Sequence, residues 1–504
     1  MINTFIQDPY WRAICTRFFR HKTGVAGTVV FLFLTFLGIY APFFASSKPL
    51  FVLYDNEPYF PLFRYLFYKG FYTKGIDLFF NLAMFFIPLF LCTFLVPKKT
   101  GRALRMTALT AFILLFLLVE SGFVENPAKS RHSVPTESGE ASLNFALEIQ
   151  EASPYGRLNL LLEHILSKKR HDALAPLLPD YIREVQSFRK EAKDLKLPTN
   201  YQNSLAHEEQ TLSLLKERVE MEGSDSKARK EDLEEIAYIN ERREWIENES
   251  LRVSWIVMPL IRPFHWEDGA GGDRFFNRIA DITDKTRINR KDLFASLLFG
   301  IRISLVVGVL SIAISLLIGI PIGAIAGYFA GKTDLLICRL IEIWESMPAF
   351  FMLLMIIAVM QSKSIFIVIL IIGLFGWTSF SRFIRGEFFK QRSLSYVDAC
   401  LVLGLPKKRI IFSHILPNAI PPVLTLLPFA IMGAISSEAG LSFLGLGEEG
   451  SCSLGVLMDE GRSSFPGESY LLWPPAFVLT VFLIAIALVG DALRDTLDPK
   501  GFRF

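Results

Sequence analysis

Apolar residues in this chain gather into runs of about twenty, interrupted by one long polar tract. Runs long enough to cross a bilayer as helices fall at roughly 25–45, 76–96, 106–124, 297–326, 335–360, 365–388, 418–440 and 471–490. The expected fold class is therefore an all-α, polytopic membrane protein with about eight transmembrane helices. Residues 125–290 read differently, being polar and charged with apolar positions at helical spacing: Leu205, Leu212, Leu215 and Val219, then Leu233, Ile236, Ile239 and Ile246. This pattern predicts a large helical insert, broken near Pro198, Gly223 and the Gly269-to-Gly272 cluster. The chain divides into an N-terminus with the first span (1–46), a loop with an extra transmembrane hairpin (47–124), the insert (125–290) and the remaining spans (291–504).

Basic residues orient the spans. Arg12, Arg17, Arg20 and Lys22 precede the first run, and no small-residue cleavage site follows closely, so the run reads as a retained anchor with a cytoplasmic N-terminus. Lys98, Lys99, Arg102 and Arg105 follow the second run, while Arg382, Arg385, Lys390 and Arg392 border the segment 391–417; all fall on the inner side. The insert is then external and the C-terminus cytoplasmic. The short turn at Lys363 and the acidic segment 441–470, with Arg462 its one basic residue, fall outside. Only the loop 47–75 breaks the pattern, carrying Lys48, Arg64, Lys69 and Lys74 on the outer side.

Composition agrees with the spans. Of 504 residues 51% are hydrophobic and 46 are Phe, too many for one soluble core. A net charge of +3 implies no polyanionic partner, so nucleic acid is not expected. Cys15, Cys92, Cys338, Cys400 and Cys452 are scattered, which suggests neither a disulfide framework nor a Cys-x-x-Cys metal site. His414 has no second histidine at ligand spacing, so no metal or other cofactor is expected. Gly331-Lys332-Thr333 copies the tail of a phosphate-binding loop, but Ala326 stands where that loop needs Gly, and a membrane helix, not a strand, precedes it. No catalytic residues are predicted. Arg339 and Glu342, three apart on one helix, are expected to pair at the inner interface. Glu438 is an ionisable group near the outer end of a span, which makes it a functional candidate.

The segment 395–417 stands out. An apolar helical run ends at Gly404, a residue suited to a left-handed C-terminal cap, and a second short helix can restart at Pro406. Lys407, Lys408 and Arg409 place this helix-turn-helix elbow in the cytoplasm. Tyr396, Asp398-Ala399-Cys400, Gly404, Pro406 and His414-Ile415-Leu416-Pro417 resemble the coupling (EAA) loop of permease subunits in bacterial ABC importers, with Asp398 for the usual Glu and Cys400 for the second Ala. His414-Ile415-Leu416-Pro417-Asn418 is similar to the dipeptide, oligopeptide and nickel branch. Residues 292–304, 440–447 and 490–499 resemble, in order, the segment entering the first core span, an external turn and the ending of the second permease subunit in oligopeptide systems. Lys48-Pro49-Leu50, Tyr54-Asp55 and Tyr59-Phe60-Pro61-Leu62 look like the external entry of the subunit serving microcin C and related peptides.

The resemblance implies a permease core at 291–504 with its coupling loop at 391–417, in the bacterial inner membrane. It implies, as partners, a second permease subunit, two ABC ATPase subunits, an extracytoplasmic solute-binding protein and the lipid bilayer. The chain would form half of a path for peptides or peptide-like solutes, with Glu438 facing that path and meeting a peptide amino terminus. Nickel is the fallback substrate. The competing class is a membrane-anchored scaffold or sensor with an external binding domain. Pro321, Pro348, Pro421, Pro422 and Pro428, within or beside spans, favour movement over mere support. An ion-coupled transporter would show interrupted helices repeated in two halves, and no such repeat is visible.

Overall fold

The computed structural model describes residues 9–46, 48–69, 74–96, 98–124, 134–135, 141–142, 145–174, 204–221, 227–261, 287–288, 291–360, 363–448, 451–463 and 471–497. The breaks expected at Pro198, Gly223 and Gly269 to Gly272 lie outside these. Two compact units emerge: one joins residues 1–38 to 297–504, the other is 39–296.

Helices α1 (Pro9–Arg20) and α2 (Lys22–Ile39) open the chain. A β-hairpin follows, β1 (Phe51–Tyr54) and β2 (Glu57–Tyr59). Its turn is Asp55-Asn56 with φ of 52° and 59°, the left-handed pair that short polar side chains tolerate and two-residue hairpins require. Next come α3 (Gly75–Cys92) and α4 (Lys98–Glu120), then α5 (Phe145–Glu151), α6 (Pro154–Leu174), α7 (Ser204–Met221), α8 (Lys227–Ser250) and strand β3 (Val253–Val257). The C-terminal part holds α9 (Leu293–Phe329), α10 (Gly331–Glu345), α11 (Ala349–Met360), α12 (Ile365–Arg392), α13 (Ser395–Val402), α14 (Leu416–Leu424), α15 (Leu427–Leu441), α16 (Leu454–Ser463) and α17 (Trp473–Leu497).

Among the described residues seven helices are long and apolar enough to cross a membrane: α2, α3, residues 100–120 of α4, α9, α12, Leu427–Leu446 and α17. The architecture is polytopic and helical, as expected, but the run 335–360 is not one helix. It splits into α10 and α11, of 15 and 12 residues, at residues 346–348. Pro348 disfavours helical backbone at Met347, and its own missing N–H cannot extend the α10 ladder. Prolines also move the next expected span: Pro421 and Pro422 lie inside α14, the chain turns at 425–426, and Pro428 stands in the first turn of α15.

The unit 39–296 departs from a purely helical insert. Strands pair antiparallel in the order β2-β1-β3, with Val52 opposite Tyr59 and Ile256. Val52 and Tyr54 on one face of β1 pack with Leu158, Leu161 and Leu162 of α6 and Ile246 of α8. Phe145, Leu212, Leu215, Tyr238 and Ile239 form a second cluster among α5, α7 and α8. The division expected at residue 125 therefore falls inside one compact unit, because β3 of the insert takes its strand partner from residues 51–54. Backbone pairing enforces this: a lone β3 beside an apolar core would leave its amides unpaired. The basic residues of the loop 47–75 also find partners here. Lys48 Nζ donates to Asn159 Oδ1 at 2.8 Å, Arg64 lies 3.9 Å over the Tyr155 ring, and Lys69 Nζ meets Glu120 Oε1 at 2.5 Å.

In the other unit α9 lies tight on α12. Gly319, Gly323 and Gly327 repeat every fourth residue, and a Cβ at each would fall within 2.4–2.6 Å of the Trp377 carbonyl, the Ser381 carbonyl and the Phe388 Cβ. Small residues at this spacing let helix backbones approach closely inside a membrane.

Candidate functional site

The elbow closes α13 with a complete Schellman cap. Gly404 sits at φ +70°, its N–H bonds Leu401 O at 3.0 Å, and the Leu405 N–H bonds Cys400 O at 3.1 Å. Pro406 takes the N-cap position, one residue before the expected first turn, and leads into Lys407–Arg409 and a π-helical turn, Ile410–Ile415, that runs into α14. π turns recur where a helix is modified for function.

The predicted elbow residues divide between two faces. Asp398, Ala399, Gly404, Pro406 and Pro417 are exposed, whereas Cys400 and Ile415 are buried and Tyr396, His414 and Leu416 are half-buried. The Tyr396 hydroxyl donates to Gln391 Oε1 at 3.0 Å, tying α13 back to α12. Beneath the elbow, Val397, Cys400, Ile410, Ile411 and Ile415 join Ala324 and Tyr328 of α9 and Phe380, Ile384 and Phe388 of α12 in one apolar cluster. Burying each of the three isoleucines contributes about 1.5–3 kcal/mol, so the elbow is seated firmly on the ends of two spans. Its outer tip is apolar: Val402 and Leu403 are 88% and 77% exposed, beside Asp398, Lys407 and Lys408. Sequence reading missed this tip and the α9 glycines, although the four-residue glycine spacing was visible.

Charged pairs fasten α10 to α12. Arg385 grips Asp334 with two guanidinium nitrogens, Nη2 to Oδ2 at 2.8 Å, and Arg382 pairs with Glu345 at the far end of α10. The two-nitrogen grip on one carboxylate fixes the angle between α10 and α12 more firmly than a single contact would. Arg339 and Glu342 pair at 2.5 Å on the exposed face of α10, as their spacing predicted. Gly331 follows a helix, α9, which removes the strand that a phosphate-binding loop needs.

Glu438 of α15 is fully buried. Its Oε1 accepts from the Ser442 hydroxyl at 2.7 Å and the Ser453 hydroxyl at 2.5 Å, and Oε2 has no hydrogen-bond partner among the described residues. The Ser453 hydroxyl also accepts from the Gly455 N–H at 3.2 Å, and a Cβ at Gly455 would lie 2.5 Å from the Ala439 carbonyl, so the segment 453–455 packs closely on the end of α15. A second buried charge was not anticipated. Arg302 of α9 donates from Nε to the Gly38 carbonyl at 2.7 Å, at the end of α2, with its guanidinium 4.8 Å over the Phe299 ring. No group of three or more His, Cys, Asp or Glu able to hold a metal ion occurs among the described residues.

Comparison with known proteins agrees with this geometry. Residues 319–502, which contain the elbow, match the family described as binding-protein-dependent transport system inner membrane component, and residues 9–61 match the N-terminal TM domain of oligopeptide transport permease C. The oligopeptide transport system permease protein OppC of Haemophilus influenzae is 38% identical over 255 residues, 48% of this chain and 79% of that protein. A peptidoglycan transport system permease protein, YejE, of Agrobacterium fabrum is 39% identical over 211 residues, 42% of this chain. An inner membrane ABC transporter permease protein, YejE, of Escherichia coli is 36% identical over 217 residues, 43% of this chain. This chain spans 55% and 63% of the lengths of those two YejE proteins. By these matches the chain belongs to the inner membrane components of binding-protein-dependent transport systems, the permease subunits of ABC importers.

Proposed function

We propose that this chain forms half of the translocation path of an importer for peptides or peptide-like solutes, alongside a second permease subunit, and that two ABC ATPase subunits drive it through the 395–417 elbow. The observation that carries the reading is the elbow itself: an apolar tip ringed by charge, capped by Gly404 and seated on the ends of α9 and α12. A push on that tip is delivered to two spans without loss in a flexible hinge. The chain performs no chemistry of its own and needs no cofactor. The names of its relatives, oligopeptide and peptidoglycan transport permeases, support a peptide-like solute handed over by an extracytoplasmic binding protein.

In this reading α10 and α11 together make one broken crossing, which keeps the elbow and both termini cytoplasmic and puts the loop 47–75 and the 125–290 insert outside. The outward basic residues Lys48, Arg64 and Lys69 do not oppose it, since each is engaged within its own unit. Glu438 belongs to the substrate path: when the 451–455 segment withdraws Ser453, the carboxyl is free to meet a peptide amino group.

Replacing Gly404 by Pro tests the elbow. Proline fixes φ near −65° and removes the N–H that bonds Leu401 O, so the cap cannot form. The variant is expected to insert in the membrane yet neither transport peptide nor retain its ATPases on purification. Uptake at the wild-type level would remove the elbow from the mechanism.

A further inference from the structure

A sheet covered by helices on one face ordinarily turns polar residues outward on the other. In the 39–296 unit the free face is apolar. Register sets Phe51 opposite Val257 and Leu53 opposite Pro58 and Trp255, and alternation along β1 puts all five on the side away from buried Val52 and Tyr54. Trp255 is 66% exposed, and Leu251 and Leu260, flanking β3, are 85% and 86% exposed. The opposite surface has another character: Glu231, Glu234, Glu241, Glu244 and Glu247 of α8 are exposed, turned from the core that Ile246 enters.

An aromatic ladder leads from this face to a membrane-crossing helix. Ring centroids lie 6.3 Å apart for Trp255 and Phe51, 5.5 Å for Phe51 and Phe60, 6.0 Å for Phe60 and Phe63, and 6.2 Å for Phe63 and Phe85. Phe85 is in α3, about 15 Å along the axis from Gly75 at 1.5 Å per residue. Its neighbours Phe79, Ile87, Leu89 and Phe90 are exposed on the same helix, which is the surface a span gives to hydrocarbon. The ladder therefore runs ring to ring from the free face of the sheet to the exposed apolar surface of α3.

We propose that the free face of the β2-β1-β3 sheet rests on the lipid bilayer at headgroup depth, so that the sheet and the helices α6 and α8 packed behind it lie against the membrane with the acidic α8 face toward water. Continuity with the lipid surface of α3 argues for this occupant. So does the chemistry, because Trp favours the membrane interface and Phe and Leu beside it bury at the headgroup–acyl boundary, while a glutamate-studded face is repelled by anionic headgroups. The proposal rests on the reading of α3 as a membrane span.

The test places the photo-crosslinker p-benzoylphenylalanine singly at Trp255, at Leu89 of α3 and at Glu234 of α8 in the full chain. Each variant is reconstituted with its ATPases in phosphatidylethanolamine–phosphatidylglycerol vesicles, and adducts are identified by mass spectrometry. Lipid adducts are expected at 255 as abundantly as at 89, with loss of that signal at 234. The same label at Leu260, where no packing is at stake, repeats the readout should the 255 variant misfold. Lipid adducts at 89 with only protein adducts, or none, at 255 and 260 would overturn the proposal and leave the span intact. Absence of lipid adducts at 89 would overturn both.

Discussion

Replacing Gly323 by alanine places a methyl group where the backbone of α12 already stands. The added Cβ would lie 2.4 Å from the Ser381 carbonyl oxygen, 3.0 Å from the Ser381 Cα and 3.1 Å from the Ile384 Cβ. Neither backbone atom can rotate away, so α9 and α12 must part by about 1 Å to restore van der Waals contact. Forcing one extra methyl into such a contact costs about 1–3 kcal/mol. The cost falls on function too, because Ala324 and Tyr328 of α9 and Phe388 of α12 form the seat of the elbow. Gly386→Ala on α12 is the matched control: nothing lies within 4 Å of its Cβ, and alanine favours the helix by up to about 1 kcal/mol. Thermal melting of the detergent-purified complex, followed by size-exclusion chromatography, together with peptide uptake in cells, reads both effects. Gly323→Ala is expected to melt earlier and to lose uptake, while Gly386→Ala matches the wild type. Identical melting and uptake for the two variants would refute the close helix contact as the base of the elbow.

Other consequences are equally direct. Gly404→Ala, milder than proline, should cost about 1–2 kcal/mol for a side chain at φ +70° and lower the coupling of ATP hydrolysis to uptake without abolishing assembly. Asp334→Asn should destabilise the complex by about 1–2 kcal/mol, since it removes the carboxylate that Arg385 grips with two nitrogens, measured as an earlier thermal melt than wild type. A fragment of residues 130–285 lacks β1 and should not melt cooperatively, and Val52→Asp in the full chain should expose α6 and α8 to protease, since Val52 is fully buried between them. Reporter fusions at Lys363 and Lys408 should report opposite sides of the membrane if α10 and α11 make one broken crossing.

Much of this molecule is legible from sequence because a bilayer admits few solutions: every spanning backbone must satisfy its own hydrogen bonds, so apolar length alone marks α2, α3, α4, α9, α12 and α17. The elbow is legible for a different reason, since Gly404 is the local answer to a left-handed cap and Pro406 to a restart, both decided within a few residues. The pairing of Arg339 with Glu342 is equally local. What sequence could not decide depends on partners distant in the chain. Strand β3 at 253–257 is recognisable as a strand only through β1 at 51–54, a pairing that joins residues on both sides of the boundary expected at residue 125. The division of 335–360 into two helices turned on one proline whose effect a hydropathy window averages away. Glu438 is a functional candidate from its position alone, but one of the hydroxyls that hold its carboxyl comes from Ser453, fifteen residues on, and the carbonyl that receives buried Arg302 from Gly38. Local propensity and hydrophobic length are properties of a segment; which segment satisfies another's backbone or charge is a property of the fold.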